Sequence, residues 1–154
     1  MAKLQVGDKA PDFSGESDGT TISLASYAGK KNVVLYFYPG DFTPVCTREA
    51  CGFRDIYEEL KGADTEVIGV STDNDESHKK FTAEYKLPFP LLADKGKVIA
   101  RSYNASNLFA DILGKVARIT YVIDKNGKIA AILKSELSAS KHVEGVKQAL
   151  ASLK

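Results

Sequence analysis

The residues Asn32-Val33-Val34-Leu35-Tyr36-Phe37-Tyr38 form an unbroken apolar and aromatic run that stops at Pro39-Gly40. A run without polar alternation predicts a strand buried on both faces, and the proline-glycine pair ends it. Beyond it, Val45, Phe53, Ile56, Tyr57 and Leu60 are spaced compatibly with one helix from Thr43 or Pro44 to about Lys61. Pro44 suits its first turn and Gly62 its end. Glu66 to Ser71 reads as the next strand. Asp73 followed by Glu76 resembles a capping box, opening a helix through about Tyr85 that Leu87-Pro88-Phe89-Pro90 terminates. Lys97 to Tyr103 predicts a short helix and Arg118 to Ile123 a strand. Asp124-Lys125-Asn126-Gly127 carries the Asn-Gly hairpin signal, with Ile129 to Leu133 as the antiparallel partner. Ser140 is expected to cap a last amphipathic helix carrying Val143, Val146, Leu150 and Leu153.

Two βα units, a hairpin and a closing helix predict an α/β chain of thioredoxin-like fold. Its central mixed β-sheet is flanked by helices and preceded by an N-terminal extension with its own turn at Asp18-Gly19. No repeat, low-complexity tract or linker interrupts the chain, so residues 1–154 read as one domain. The 154 residues suffice for a core without disulfide staples, and 44% hydrophobic with 27% charged residues is a globular composition. A net charge of +1 argues against nucleic acid or an anionic membrane as partner. The residues Met1 to Asp8 hold no apolar run that could serve as a signal core and no later segment approaches a membrane-spanning length, which makes a cytosolic protein the expectation. In a reducing cytosol, two cysteines are more often inert, catalytic or redox-active than structural.

Of the two cysteines, Cys46 is the better placed for chemistry. It follows a buried strand and falls in the first turn of the next helix, where unpaired N–H groups and the helix dipole favour a sulfur anion. The bland reading of the same residue is a small buried hydrophobe. Thr43 could be a helix N-cap, and Arg118 an exposed ion pair at a strand edge. Phe42 and the Tyr36-Phe37-Tyr38 run read as core. His78 and His142 lack partners at metal-ligand spacing and are expected to be ordinary surface or partly buried side chains, so neither metal nor cofactor is expected.

The segment Pro39-Gly40-Asp41-Phe42-Thr43-Pro44-Val45-Cys46 resembles the active-site signature of peroxiredoxins: proline, three residues, threonine, two residues, cysteine. The following Thr47-Arg48-Glu49-Ala50-Cys51 is similar to the bacterioferritin-comigratory, or peroxiredoxin-Q, subgroup. Arg118-Ile119-Thr120-Tyr121-Val122-Ile123-Asp124 resembles the family's second block. Val45 departs from the glycine often found there in that subgroup. The resemblance implies a peroxidase that reduces hydrogen peroxide and organic hydroperoxides in antioxidant defence. In it Cys46 is the attacking thiolate, Thr43 hydrogen-bonds peroxide and sulfur, Pro39 shields the pocket, and Arg118 stabilises the thiolate and orients peroxide oxygens. Glu49 would anchor an arginine of this network without facing the sulfur. Cys51 would resolve the oxidised Cys46 through an intramolecular disulfide, with thioredoxin or a similar dithiol as reductant and a monomer preferred over a dimer.

If both cysteines ride one helix, five residues separate their Cα atoms by about 8 to 9 Å on nearly opposite faces. A disulfide needs roughly 7 Å or less, so the helix start must unwind for the two to join. A thioredoxin-type reductase would instead want Cys-x-x-Cys at the turn and a proline where Arg118 stands. A holdase chaperone or a redox sensor that passes oxidation to a partner is the non-enzymatic alternative. A site of two Cys and two His for a metal is the least favoured reading.

Overall fold

The computed structural model describes residues 3–105 and 115–153. Ser14–Ser17 (β1) and Thr20–Ser23 (β2) pair antiparallel around Asp18 and Gly19, whose φ angles are 49° and 79°. Asp-Gly suits this hairpin turn because both central residues take positive φ. A 3-10 turn at Leu24–Tyr27 leads into β3 (Asn32–Phe37), all of it buried. Next come α1 (Pro44–Asp55), α2 (Tyr57–Gly62), β4 (Thr65–Ser71), α3 (Asp75–Tyr85) and β5 (Leu91–Ala93). α4 (Val98–Ser102), β6 (Ile119–Ile123), β7 (Ile129–Lys134) and α5 (Ala139–Ser152) complete the described elements.

β5, β4, β3, β6 and β7 lie side by side in that order, with β3 parallel to β4 and antiparallel to β6. The sheet is therefore mixed and the fold thioredoxin-like, as expected. Alternate β3 side chains enter separate cores because strand side chains alternate between faces. Val33, Leu35 and Phe37 meet Phe13, Leu24, Ile99 and Tyr103 on one face. Val34, Tyr36 and Tyr38 meet Cys46, Phe53, Phe81 and Val146 on the other. Coverage of both faces is why the β3 sequence shows no alternation. No helix among the described residues is long and apolar enough to cross a membrane.

Several local expectations need correction. The helix expected from residue 44 to about 61 is two, broken at Ile56, whose φ of −104° and ψ of 7° leave the helical region. Asp73 is not the cap of α3. Its carboxylate accepts instead from the Ser71 hydroxyl and the Asp41 amide, and Asn74 caps the helix by accepting from the Ser77 amide at 2.8 Å. Ser138, rather than Ser140, caps α5 by accepting from the Lys141 amide at 3.3 Å. Phe42 is 49% exposed, not core, because the turn that carries it holds it at φ 64° beside α3. His78 and His142 are neither surface nor partly exposed: both are buried, with ring nitrogens facing protein oxygens.

At Gly69 the central sheet leaves no room for a side chain. A Cβ there would stand 2.7 Å from Leu91 Cδ2 and 2.9 Å from the Tyr36 ring. Gly69→Ala should therefore lower unfolding stability by about 1–3 kcal/mol through overpacking. A urea titration of reduced protein checks this, and an unchanged midpoint would refute the close approach.

Candidate active site

β3 ends at Phe37, and the loop 38–43 carries the chain to α1. Thr43 is the N-cap residue with extended backbone, and its carbonyl accepts the first helical bond from Thr47 N–H at 2.9 Å. Its hydroxyl does not cap. It donates to the Gly40 carbonyl at 2.8 Å, which leaves the hydroxyl oxygen free to accept from a ligand. Pro44 occupies the first helical position, where a missing N–H costs nothing. Cys46 then falls in the first turn, whose amides have no intrahelical acceptor, and is 1% exposed. Phe42, held in left-handed backbone, stores strain on the order of 1–3 kcal/mol for a bulky residue.

Arg118 sits immediately before β6 and is buried, which removes the reading of a surface ion pair. Its Nη2 donates to Cys46 Sγ at 3.2 Å and its Nη1 to Glu49 Oε1 at 2.8 Å. Glu136 fixes the arginine from behind: its carbonyl accepts from Nε at 3.1 Å and its carboxylate from the Arg118 amide at 3.0 Å. Burial works against the guanidinium charge, but the Cys46 sulfur and the Glu49 carboxylate beside it outweigh that and hold its pKa above the ordinary value. Glu49 is 0% exposed, and burial pushes its pKa up to about 7 although Arg118 pulls the other way. One bond to Arg118 does not repay desolvation of the whole carboxylate. Its Oε2 has no hydrogen-bond partner among the described residues.

The group that sequence reasoning missed is His142. Its Nδ1 lies 3.5 Å from Glu49 Oε2, beyond a hydrogen bond, and 2.7 Å from the Thr120 hydroxyl. Nε2 faces the Ser135 carbonyl at 2.9 Å, which can only accept, so Nε2 carries the proton and Nδ1 accepts from Thr120. Burial lowers the His142 pKa; the Ser135 carbonyl opposes this and Arg118 adds to it. The imidazole is thus neutral and does not offset the Glu49 charge. Its spacing with Val146 and Leu150 on α5 is the signal that marks it as an inward position.

The structure brings Cys46, Arg118 and Glu49 into contact and sets Thr43 and the half-buried Pro39 on the adjoining loop. Cys51 stands apart, half-buried and one and a half turns further along α1, and both thiols are free. A buried sulfur in a helix's first turn, bonded to a guanidinium, is arranged to act as a nucleophilic thiolate.

Residues 6–132 match the AhpC/TSA family. The chain is 43% identical over 156 residues to the chloroplastic peroxiredoxin Q of Sedum lineare, covering 100% of this chain and 82% of that one. It belongs to the AhpC/TSA family. This peroxiredoxin is also 46% identical over 146 residues to the chloroplastic peroxiredoxin Q of Arabidopsis thaliana, covering 94% of this chain and 66% of the relative. Peroxidoxin BcpB of Mycobacterium tuberculosis superposes with a TM-score of 0.89 at 32% identity, covering 98% and 99% of the two chains. A PrxQ Cys-to-Ser mutant from Xylella fastidiosa shares the fold, with a TM-score of 0.86 at 23% identity over 99% of each chain. The peroxiredoxin is accordingly a thiol-dependent peroxidase, an antioxidant oxidoreductase of the Q-like subgroup.

The raised Glu49 pKa has a sign that can be measured. Raised in the folded state, it contributes stability that is whole below the unfolded value of 4.5 and is lost as pH rises through about 7. Glu49→Gln cannot lose it. Relative to the Gln variant, the parent should lose about 3 kcal/mol of unfolding stability between pH 4.5 and pH 7 and little more above. Urea melts of the reduced proteins at several pH values decide this; a pH-independent difference would rule it out.

At the sulfur, removing the guanidinium should cost more than trimming a methyl. Arg118→Met should slow the peroxide step roughly 100-fold, and Thr43→Ser, which keeps its hydroxyl, less than about tenfold. Stopped-flow rates of peroxide consumption by the reduced variants at one pH check this. Equal slowing in both variants, or an unchanged rate in Arg118→Met, would remove Arg118 from the chemistry.

Proposed function

We propose that this peroxiredoxin reduces hydrogen peroxide and organic hydroperoxides with Cys46 and closes its cycle through a disulfide to Cys51. The observation that carries the reading is the 3.2 Å bond from Arg118 to a Cys46 sulfur buried in the first turn of α1. In the first step the Cys46 thiolate attacks one peroxide oxygen. An S–O bond forms, the O–O bond breaks, and the departing alkoxide or hydroxide takes a proton to leave as alcohol or water. The Thr43 hydroxyl, its own proton committed to Gly40, accepts from the peroxide O–H and so orients it. Arg118 holds the thiolate and the developing negative charge on the leaving oxygen, Glu49 keeps the guanidinium in place, and Pro39 covers the loop side.

In the second step the Cys51 thiol displaces water from the Cys46 sulfenic acid and forms the disulfide. α1 is continuous from Pro44 to Asp55, so the two Cα atoms are about 8 to 9 Å apart, beyond disulfide reach. The start of α1 therefore unwinds before the bridge closes. An external dithiol, thioredoxin or a protein like it, then reduces the bridge and becomes a disulfide itself. A reducing compartment such as the cytosol suits this cycle, and an intrachain bridge lets the monomer complete it.

One experiment separates the roles of the two sulfurs. Cys46→Ser should remove peroxidase activity, whereas Cys51→Ser should consume about one equivalent of peroxide per chain and stop at a trappable sulfenic acid. One equivalent of peroxide given to the parent should produce a linked product at monomer size in a non-reducing gel. Hydrogen exchange should rise over residues 44–51 while α5 stays protected. A linked dimer, or full protection through Cys51, would return Cys51 to the role of a packing residue. Turnover by Cys46→Ser would overturn the whole assignment.

A further inference from the structure

The loop that presents Thr43 is held by a second buried ionisable pair, which the chemistry at Cys46 does not use. The side chains of Asp41 and His78 are 1% and 4% exposed, and Asp41 Oδ2 lies 2.7 Å from His78 Nδ1. On the far side of the ring, Nε2 lies 3.0 Å from the Leu92 carbonyl oxygen. Both ring nitrogens thus face oxygens of buried groups, a carboxylate on one side and a backbone carbonyl on the other. The Tyr38 hydroxyl donates to Asp41 Oδ1 at 2.7 Å and the Ser77 hydroxyl to Oδ2 at 2.8 Å. The Asp41 amide donates to Asp73 Oδ2 at 2.7 Å, an oxygen that also accepts from the Ser71 hydroxyl at 2.9 Å. Through Asp41 the loop is thus tied to the segments that follow β3 and β4 and to α3, and through His78 to β5. Next to it, the Phe42 ring stands edge-on to Phe81 of α3 at 5.1 Å.

We propose that Asp41 and His78 are positioning residues that clamp this loop in its peroxide-reactive arrangement and so set how fast oxidised Cys46 is released toward Cys51. The inference rests on the disulfide resolution proposed above. Its mechanical link is short. The Thr43 hydroxyl is bonded to the Gly40 carbonyl, and the Thr43 carbonyl accepts the first bond of α1. Unwinding α1 through Cys46 pulls on Thr43, and the loop follows only when Asp41 gives up its buried partners. Separating buried, hydrogen-bonded polar partners leaves each without its bond, so the clamp favours the wound helix.

Released slowly, the Cys46 sulfenate stays in the pocket, where a second hydroperoxide can oxidise it. A further S–O bond then forms, an O–O bond breaks, and alcohol or water leaves, giving a sulfinic acid that Cys51 cannot resolve. Clamp strength therefore divides the sulfenic acid between disulfide and sulfinic acid. Because the wound form dominates, weakening the clamp multiplies the small unwound population while scarcely depleting the wound one.

The test uses Asp41→Asn, which keeps the shape and the acceptor for Tyr38, and His78→Gln, which can satisfy only one of the ring's two partners. Each is placed in the full chain with both cysteines and, separately, in Cys51→Ser. Quenched-flow mass spectrometry follows sulfenic acid, disulfide and sulfinic acid after a hydrogen peroxide pulse. Both variants should form the disulfide roughly fivefold faster and accumulate less sulfinic acid, while the peroxide step in Cys51→Ser changes by less than about twofold. General damage to the fold would slow both steps. Slower or unchanged disulfide formation in either folded variant, or increased sulfinic acid, overturns the clamp. If the parent itself forms no Cys46–Cys51 bridge, the resolution reading fails and the clamp's role in it falls too. A parent that bridges normally beside indifferent variants sinks the clamp alone.

Discussion

The antiparallel register of β3 with β6 is the constraint on which the site depends. Phe37 pairs with Ile119, so the chain leaving β3 toward Cys46 and the chain entering β6 from Arg118 meet at the same end of the sheet. Residues separated by 72 positions thereby come within hydrogen-bond distance. Side-chain alternation does the rest. Ile119, Tyr121 and Ile123 enter one core and Val122 the other, so Arg118 and Thr120 share the face that carries Cys46 and His142. A slip of one residue would send Arg118 to the opposite core and leave the sulfur without its cation. The hydrophobic demand of two covered faces thus fixes an electrostatic arrangement that no local signal specifies.

Within that frame one guanidinium serves a sulfur and a carboxyl group, at unequal cost. The sulfur gains a cation in a water-poor site, which is what a nucleophilic thiolate needs. Glu49 keeps the cation aimed, but with one oxygen unpartnered it is expensive to bury, as its raised pKa records. His142 does not relieve it, because a neutral ring accepting from Thr120 has no proton to offer on that side. The cost falls on α1, between the two cysteines. A helix that carries an under-compensated carboxylate is less firmly held than its apolar contacts suggest, which is consistent with an element that must unwind in each turn of the proposed cycle.

What the sequence made legible was local. The unbroken run at β3, the Asp-Gly and Asn-Gly turns and the threonine-to-cysteine spacing each reflect a requirement of neighbouring residues, and each was readable. The inner stripe of α1 was not. It is Cys46, Glu49, Ala50 and Phe53, a set with one large apolar member, so periodicity pointed to Val45 and Ile56 instead. Burial of Glu49, His78 and His142 depends on partners far away in the chain, and a charged or polar residue is read as exposed until such a partner is known. β5 is only Leu91–Ala93, too short to show a period, and its strand character comes from pairing with Gly69, Val70 and Ser71.

The two ends of α1 are held by different forces, and that difference decides which sulfur travels in the proposed cycle. The N-terminal end is secured mainly by polar contacts, those of the loop through Asp41 and that of Arg118 with Glu49, each broken one at a time. Past Cys51 the helix is secured by packing. Gly52 lies so close to α5 that a Cβ would stand 2.7 Å from Val143 Cγ2, and Phe53 is fully buried between helix and sheet. Apolar contact of this kind is lost only by exposing surface, with no polar compensation from solvent. In the proposed cycle, unwinding from the N-terminus would therefore halt near Gly52. Cys51 lies at that boundary, on the part that would stay, so Cys46 would be the sulfur that leaves its pocket, and re-formation of the first turn would restore the Arg118 contact once the bridge is reduced.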